Sequence, residues 1–512
     1  MTSRPDILFL VLDTQRVDRL SAYGYEQITS PNLDALAADA TLFRHGVSTA
    51  QWTIPSHTSM FTGQYPAVHR TQQSYSRIPA GLPTLAELLR ENGYYTAAFC
   101  NNPLVGVVDN GLRRGFFSFL NYSGLLTNRP NQAGAHPRIM GRYRQFFKRN
   151  LSNLLHRMQD SFARSDALLE FAFTPIMVPV WQTALSFKGN TAKSLNDAAK
   201  LFVDRKQASK GQPVFGFVNL MGTHMPFHPN REQIERFAVD ILGDKSAQRY
   251  LQRFNSDVLG WLTPVSDTLD ERHRELISNM YDAEVATQDE HLGEFFDKMR
   301  SSGALDNTLV LIVADHGEHL GDKGFIGHTV SLYNELIHVP LIIRDPGDEL
   351  PHGVIDEPVS TRRLFHTALA VAGLADDVQQ TYSLLGFRDA DPDHGTVFAE
   401  AITAQNVRNI MKKHKPELID VYHVDERRRA VYRSPYKLIL TGEVKQELYN
   451  YVDDPHEAHD LSGEMPDMVQ EMAGLISDYE LQSAAMGIAT GGRAGANDPQ
   501  LSQRLRALGY LE

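Results

Sequence analysis

The feature that most limits the fold is a set of short, wholly apolar runs, each stopped by a turn or a polar residue and separated by stretches with helical spacing. Ile7–Leu12 is the first, bounded by Pro5 and Asp13, and Tyr95–Phe99, Val214–Leu220, Leu309–Val313 and Pro340–Ile343 repeat the pattern. A strand without a polar side must be covered on both faces, the condition of a parallel strand between two helix layers. Ser30–Asp39, Leu82–Glu91 and Glu271–Met299 supply the helical patterns between them. The alternation predicts an α/β fold, a mainly parallel sheet sandwiched by helices. Past about residue 370 the texture changes. His394–Ala401 reads as a strand, Arg428–Thr441 as a pair of strands, and Pro466–Ser483 as a helix with proline at its first position. The expected division is a larger α/β unit over residues 1–370 and a smaller α+β unit over 371–512, with Gly487–Asn497 as a flexible link to a short terminal helix.

Charge and cysteine usage narrow the function classes. A net charge of −12 argues against nucleic acid as a partner for the surface at large. The only cysteine, Cys100, excludes an internal disulfide framework and a Cys-rich zinc site, and fits a reducing compartment. The first apolar run is far short of a spanning helix or a signal core, so a cytoplasmic protein is expected. One stretch departs from the acidic background: Asn121–Ser165 carries a net +7, and the apolar Leu168–Phe187 follows with two prolines. Those prolines argue against a straight membrane helix. The region 121–190 is read instead as a helical insertion that covers a site's mouth or makes a contact within a homo-oligomer.

Four polar pieces stand near the carboxyl ends of the apolar runs, where α/β sheets gather their chemistry. Asp13 ends the first run, as a ligand or as a strand-end cap. Thr53, in Gln51-Trp-Thr-Ile-Pro-Ser-His57, is placed just before a helix begun at Pro55, either as part of an anion site or as a plain N-cap. Ala314-Asp315-His316-Gly317-Glu318 offers a mixed oxygen and nitrogen donor set that suits Mn or Zn better than Ca. Met221-Gly-Thr-His224-Met-Pro-Phe-His228 brings histidines that bind metal or donate to a substrate oxygen.

In order, VxDxxRxDxLxxYGY, TxPSHxSxxTG, GYxTAAF, HxPF, DHGExLGDxGxxGHxxSLYxExxxVPLII and LYNYVDDPHEAHDLS span Ile7 to about Ser462. The chain resembles the sulfatase branch of the alkaline phosphatase superfamily, and in particular its non-formylglycine members that resemble phosphodiesterases and phosphonate monoester hydrolases. The resemblance implies one divalent metal ion held by Asp13, Asp315 and His316, with Thr53 completing the shell and serving as nucleophile. It implies further that His224, His328 and Asn102, or less readily Asn101, act on the leaving or non-bridging oxygens of a small anionic ester. Sulfatases make formylglycine from Cys or Ser in a C/S-x-P-x-R motif. Here Thr53 and His57 occupy the positions of that Cys or Ser and that Arg, and the expected lysines are replaced by Asn101/Asn102 and His328. The function expected is therefore metal-dependent hydrolysis of phosphate esters, diesters foremost, through a phosphothreonine. A sulfatase or phosphotransferase on the same fold, a second metal through His224 and His328, and an inactive metal-binding protein are the alternatives.

Overall fold

The computed structural model describes residues 4–106, 108–123, 131–132, 188–204, 209–257, 260, 269–386 and 391–489. Most of the basic and apolar insertion, residues 124–130 and 133–187, and the terminal stretch 490–512 lie outside the described residues.

The first apolar run is strand β1 (Asp6–Leu12), buried along its whole length. Its alternate side chains enter two separate cores: Leu8, Leu10 and Leu12 on one face of the sheet, Ile7, Phe9 and Val11 on the other. Each such side chain contributes about 1.5–3 kcal/mol on full burial, which explains why the run admits no polar residue. Around β1 the sheet takes in β2 (Thr41–Val47), β3 (Tyr95–Cys100), β4 (Ser118–Asn121), β5 (Asn131–Gln132), β6 (Val214–Leu220), β7 (Thr308–Val313), β8 (His338–Arg344), β9 (Gly353–Ile355) and β10 (Val359–Ser360). The order is β9-β2-β8-β7-β1-β6-β3-β4-β5, with β10 also on β2. β7, β1, β6, β3 and β4 are mutually parallel, whereas β8 runs antiparallel to both β7 and β2. The mainly parallel sheet is as expected. β2 has no counterpart among the expected strands, because Arg44 is exposed and breaks the apolar run Thr41–Val47.

The first helix needed for the site, α1 (Thr53–Thr62), is buried at every residue and ends at Gly63, whose φ of 69° is the left-handed conformation a helix stop requires. On the other face lie α2 (Thr191–Val203) and the 31-residue α3 (Glu271–Ser301). Ile277, Tyr281, Glu284, Gln288 and Leu292, all buried, share one side of α3 at helical spacing.

The C-terminal chain forms a separate antiparallel sheet, β11 (Thr396–Ala401), β12 (Arg428–Arg433), β13 (Tyr436–Thr441) and β14 (Lys445–Asn450), in that order. Helix α4 (Pro466–Ala489) covers it through Val469, Met472 and Ile476. This helix continues past Ser483 and Gly487, so the link expected from Gly487 is helical as far as Ala489. Among the described residues no helix is long and apolar enough to cross a membrane.

Candidate active site

β7, β1, β6 and β3 are neighbours, so the residues that follow them meet at one sheet edge. Asp13 follows β1, Asn101 and Asn102 follow β3, His224 lies four residues past β6, and Asp315 and His316 follow β7. Thr14 turns the chain away from β1 with φ 61°, an uncommon conformation for a β-branched residue. Tyr281 on α3 fixes that turn: its hydroxyl donates to Thr14 O at 2.7 Å and accepts from Arg16 N at 2.8 Å. The Arg16 guanidinium is buried and binds Asp18, Asp322 and the Glu318 carbonyl, tying the β1 turn to the segment after β7. Gly317 is required there, because a Cβ would run into the Glu335 carbonyl oxygen.

Asp13, Asp315 and His316 form one fully buried group whose donor atoms lie within 4.8 Å of one another. Asn102 Nδ2 at 2.6 Å and Asn219 Nδ2 at 3.2 Å donate to Asp13 Oδ2, leaving Oδ1 buried without a partner. Asp315 Oδ1 accepts from the amides of Thr14 and His316, and its Oδ2 has no hydrogen-bond partner. Burial first, and then the Asp315 carboxylate, raise the Asp13 pKa above the usual carboxylate value. Two buried carboxylates facing each other, each with one oxygen that accepts no hydrogen bond, are the condition a bound cation relieves, although Asp315 Oδ2 has His57 Nδ1 and His316 Nε2 at 3.4 Å. His316 donates from Nδ1 to Gly317 O at 2.9 Å, which presents Nε2 as its acceptor. Burial, and then His328, push its pKa down to about 3, the neutral form a metal ligand needs. The residues present therefore fit a divalent cation.

Thr53 is brought to this group, with Oγ1 3.3 Å from His316 Nε2. It is not the residue before the helix, as expected, but the first residue of α1. Trp52 is the N-cap, Pro55 sits in the first turn, and no side chain caps the helix. The hydroxyl is thus not a cap and meets His316 from the positive end of the helix. Ser48 and Ser56 hydroxyls both donate to the Asp315 carbonyl, fastening α1 to the strand end. His57, where the resemblance expects arginine, is fully buried beneath the group. It donates from Nδ1 to Thr53 O at 3.0 Å and stands 3.4 Å from Asp315 Oδ2.

A second group, His224, Glu318 and His328, also has donor atoms within 4.8 Å of one another. His328 Nδ1 pairs with Glu318 Oε1 at 2.6 Å, and Glu318 Oε2 is buried without a partner. The His328 ring stands 4.5 Å from the His316 ring and 5.2 Å from the His224 ring, so it forms the wall between the two groups. Burial opposes its charge, but the Glu318 carboxylate outweighs it and raises the His328 pKa.

Two expected residues are placed differently from the rest. Asn102 is turned to Asp13 instead of to an open face, and its Oδ1 accepts from Leu104 N at 2.8 Å. Asn101 is fully buried against Gly189. Sequence reasoning missed Glu318 as a member of the site, although it lies two residues beyond His316 in the quoted Asp-His-Gly-Glu. It also missed Asn219, a buried polar residue inside an otherwise apolar strand.

The family model described as Sulfatase matches residues 5–374. The chain is 23% identical over 383 residues to the ulvan-active sulfatase of Formosa agariphila, an alignment covering 73% of this chain but only 62% of that protein. It is 23% identical over 512 residues to the multifunctional alkaline phosphatase superfamily protein PehA of Trinickia caryophylli, covering 93% and 94% of the two chains. In fold it is similar to the phosphonate monoester hydrolase of Agrobacterium radiobacter, with a TM-score of 0.65 at 19% identity over 94% of this chain and 96% of that one. With the family model matching well over half its length, the chain belongs to the Sulfatase family, ester-bond hydrolases of the alkaline phosphatase superfamily.

Proposed function

We propose that the protein is a metal-dependent hydrolase of phosphate esters, diesters foremost, that works through a phosphothreonine at Thr53. The observation that carries this is the Thr53 hydroxyl, 3.3 Å from Nε2 of His316, which itself groups with the buried carboxylates of Asp13 and Asp315. Threonine cannot become formylglycine, so the nucleophile is an ordinary hydroxyl. Asp13, Asp315, His316 and Thr53 Oγ1 would hold the cation, and their mixed oxygen and nitrogen set suits Mn or Zn. When bound, such a cation supplies the positive charge that lowers a hydroxyl pKa and offsets charge on a non-bridging oxygen.

The chain's own residues supply the rest. Deprotonated Thr53 Oγ1 attacks phosphorus, the bond to one alcohol breaks, and that oxygen takes a proton from His328, which Glu318 orients. Water then gives a proton to the neutral His328 and attacks phosphorus, the Thr53 Oγ1–phosphorus bond breaks, and the monoester leaves with Thr53 and His328 restored. His224 faces the same oxygens from across His328. Because asparagine and histidine stand where the resemblance has lysines, the site offers less fixed positive charge, which suits a singly charged diester better than a dianionic monoester.

A panel of aryl phosphate mono- and diesters, phosphonate esters and sulfates, assayed before and after chelation with Mn or Zn restored, tests this. Diester turnover that is lost on chelation and regained with metal supports it. Preferential sulfate hydrolysis would favour the sulfatase reading that the relatives' names suggest. The partnerless Glu318 Oε2 favours one further reading, a second cation among His224, Glu318 and His328. Two metal ions per chain, reduced to one by His328→Ala, would establish it.

A further inference from the structure

We infer that Lys188 is a positioning residue for His224, gripping from behind the loop that carries it. Lys188 lies just before α2, far in sequence from the residues it binds. Its ammonium donates to Gly222 O at 2.6 Å, Pro226 O at 2.9 Å and Glu284 Oε1 at 2.8 Å. The two carbonyls belong to the residues two before and two after His224, so the ammonium spans the histidine's own stretch of backbone. An ammonium has three protons, and each meets an acceptor.

Further bonds extend the grip to both ends of the loop. Glu284 Oε1 accepts the His228 amide as well as the lysine. Gln288 Oε1 accepts the Gly222 amide at 3.1 Å, and Asn255 binds both the amide and the carbonyl of Phe227, at 3.0 and 2.8 Å. His224 in turn donates from Nδ1 to Met225 O at 2.6 Å, so its ring direction follows the loop backbone. A cavity of about 280 Å³ lies on the reverse side of the loop, lined by Met221, Gly222, Pro226 and His228 together with Lys188 and Glu284. Among the described residues that line it, Lys188 is the only lysine or arginine. A neutral side chain at 188 leaves two carbonyls unpaired and Glu284 buried without its counter-charge, and the loop has room to move back.

This inference rests on the reading of His224 as part of the reacting site, so the test carries one readout that needs no turnover. Lys188→Met and Lys188→Cys are compared with Lys188→Cys after alkylation by 2-bromoethylamine, which rebuilds an ammonium at lysine's reach. Cys100, the only native cysteine, is buried, so alkylation is selective. With an aryl phosphodiester, Lys188→Met is expected to lose kcat by about 10–100-fold while KM and bound metal change little. Hydrogen exchange of the 221–228 peptide should quicken in Lys188→Met and in unalkylated Lys188→Cys. Alkylation should restore both the rate and the protection. Wild-type kcat in Lys188→Met, or a loss that alkylation does not reverse, overturns the inference. If the wild-type enzyme turns over none of the esters, the functional reading fails, and unchanged exchange in Lys188→Met would separately overturn the grip.

Discussion

Asn102 Nδ2 donates to Asp13 Oδ2 at 2.6 Å, fastening the second residue past β3 to the carboxylate after β1 across the intervening β6. The bond fixes which oxygen of Asp13 remains for a ligand. Asn102→Ala should therefore weaken divalent-metal affinity by about 10–100-fold, the usual cost of losing a partner behind a metal ligand. Calorimetric titration of Mn or Zn into chelator-treated protein measures this. An unchanged affinity would return Asn102 to the role expected from sequence, a donor to the substrate.

Acid stability follows from histidines buried outside the site. Burial pushes His69 and His319 down to about 3 from an ordinary value of 6.5. Their folded pKa is depressed, so the unfolded chain binds more protons below about pH 6.5. Their contribution to stability is fully present above that pH and is lost as pH falls toward about 3. Melting temperature should drop as pH is lowered through this window. His69→Asn, which can still accept the Thr71 amide now bound to His69 Nδ1, should show a shallower drop. Equal slopes for variant and wild type would remove His69 from the account.

The C-terminal sheet contains a wholly buried ion pair, Lys437 with Glu457 at 2.5 Å, in which Lys437 also reaches Asn334 Oδ1 at 3.1 Å. Lys437→Met strands the carboxylate and should cost about 3–5 kcal/mol. Lys437→Met combined with Glu457→Gln should recover much of that loss. Denaturant titration reads both variants, and a double variant no more stable than the single one contradicts the pairing.

Much of the site was legible because it obeys a local rule. Asp13, Asp315 and His316 are polar residues that directly follow apolar runs, and a strand end is where such runs stop. What was illegible depends on direction or distance. The spacing around Pro55 suggested a helix starting there, yet proline is tolerated anywhere in a first turn whose N–H groups lack helical partners, so α1 begins two residues earlier, at Thr53 itself. Asn102 was named, but no sequence pattern shows that its amide turns to Asp13. Glu318 joins His328 only because the chain doubles back through a short antiparallel pair, His319–Leu320 with Ile326–Gly327. Lys188 meets Gly222 and Glu284 through contacts of long sequence separation, which periodicity cannot carry.

The central claim is that Thr53 Oγ1 becomes covalently phosphorylated during turnover. Quenching the enzyme in acid during steady-state hydrolysis of an aryl phosphodiester, followed by peptide mass spectrometry, tests it most directly. The account predicts on Thr53, in the 51–63 segment, an adduct of the phosphoryl group with the one ester substituent it retains, absent from Thr53→Ala, which should also be inactive. An unmodified Thr53 throughout turnover, or a Thr53→Ala variant with the wild-type rate, would contradict it.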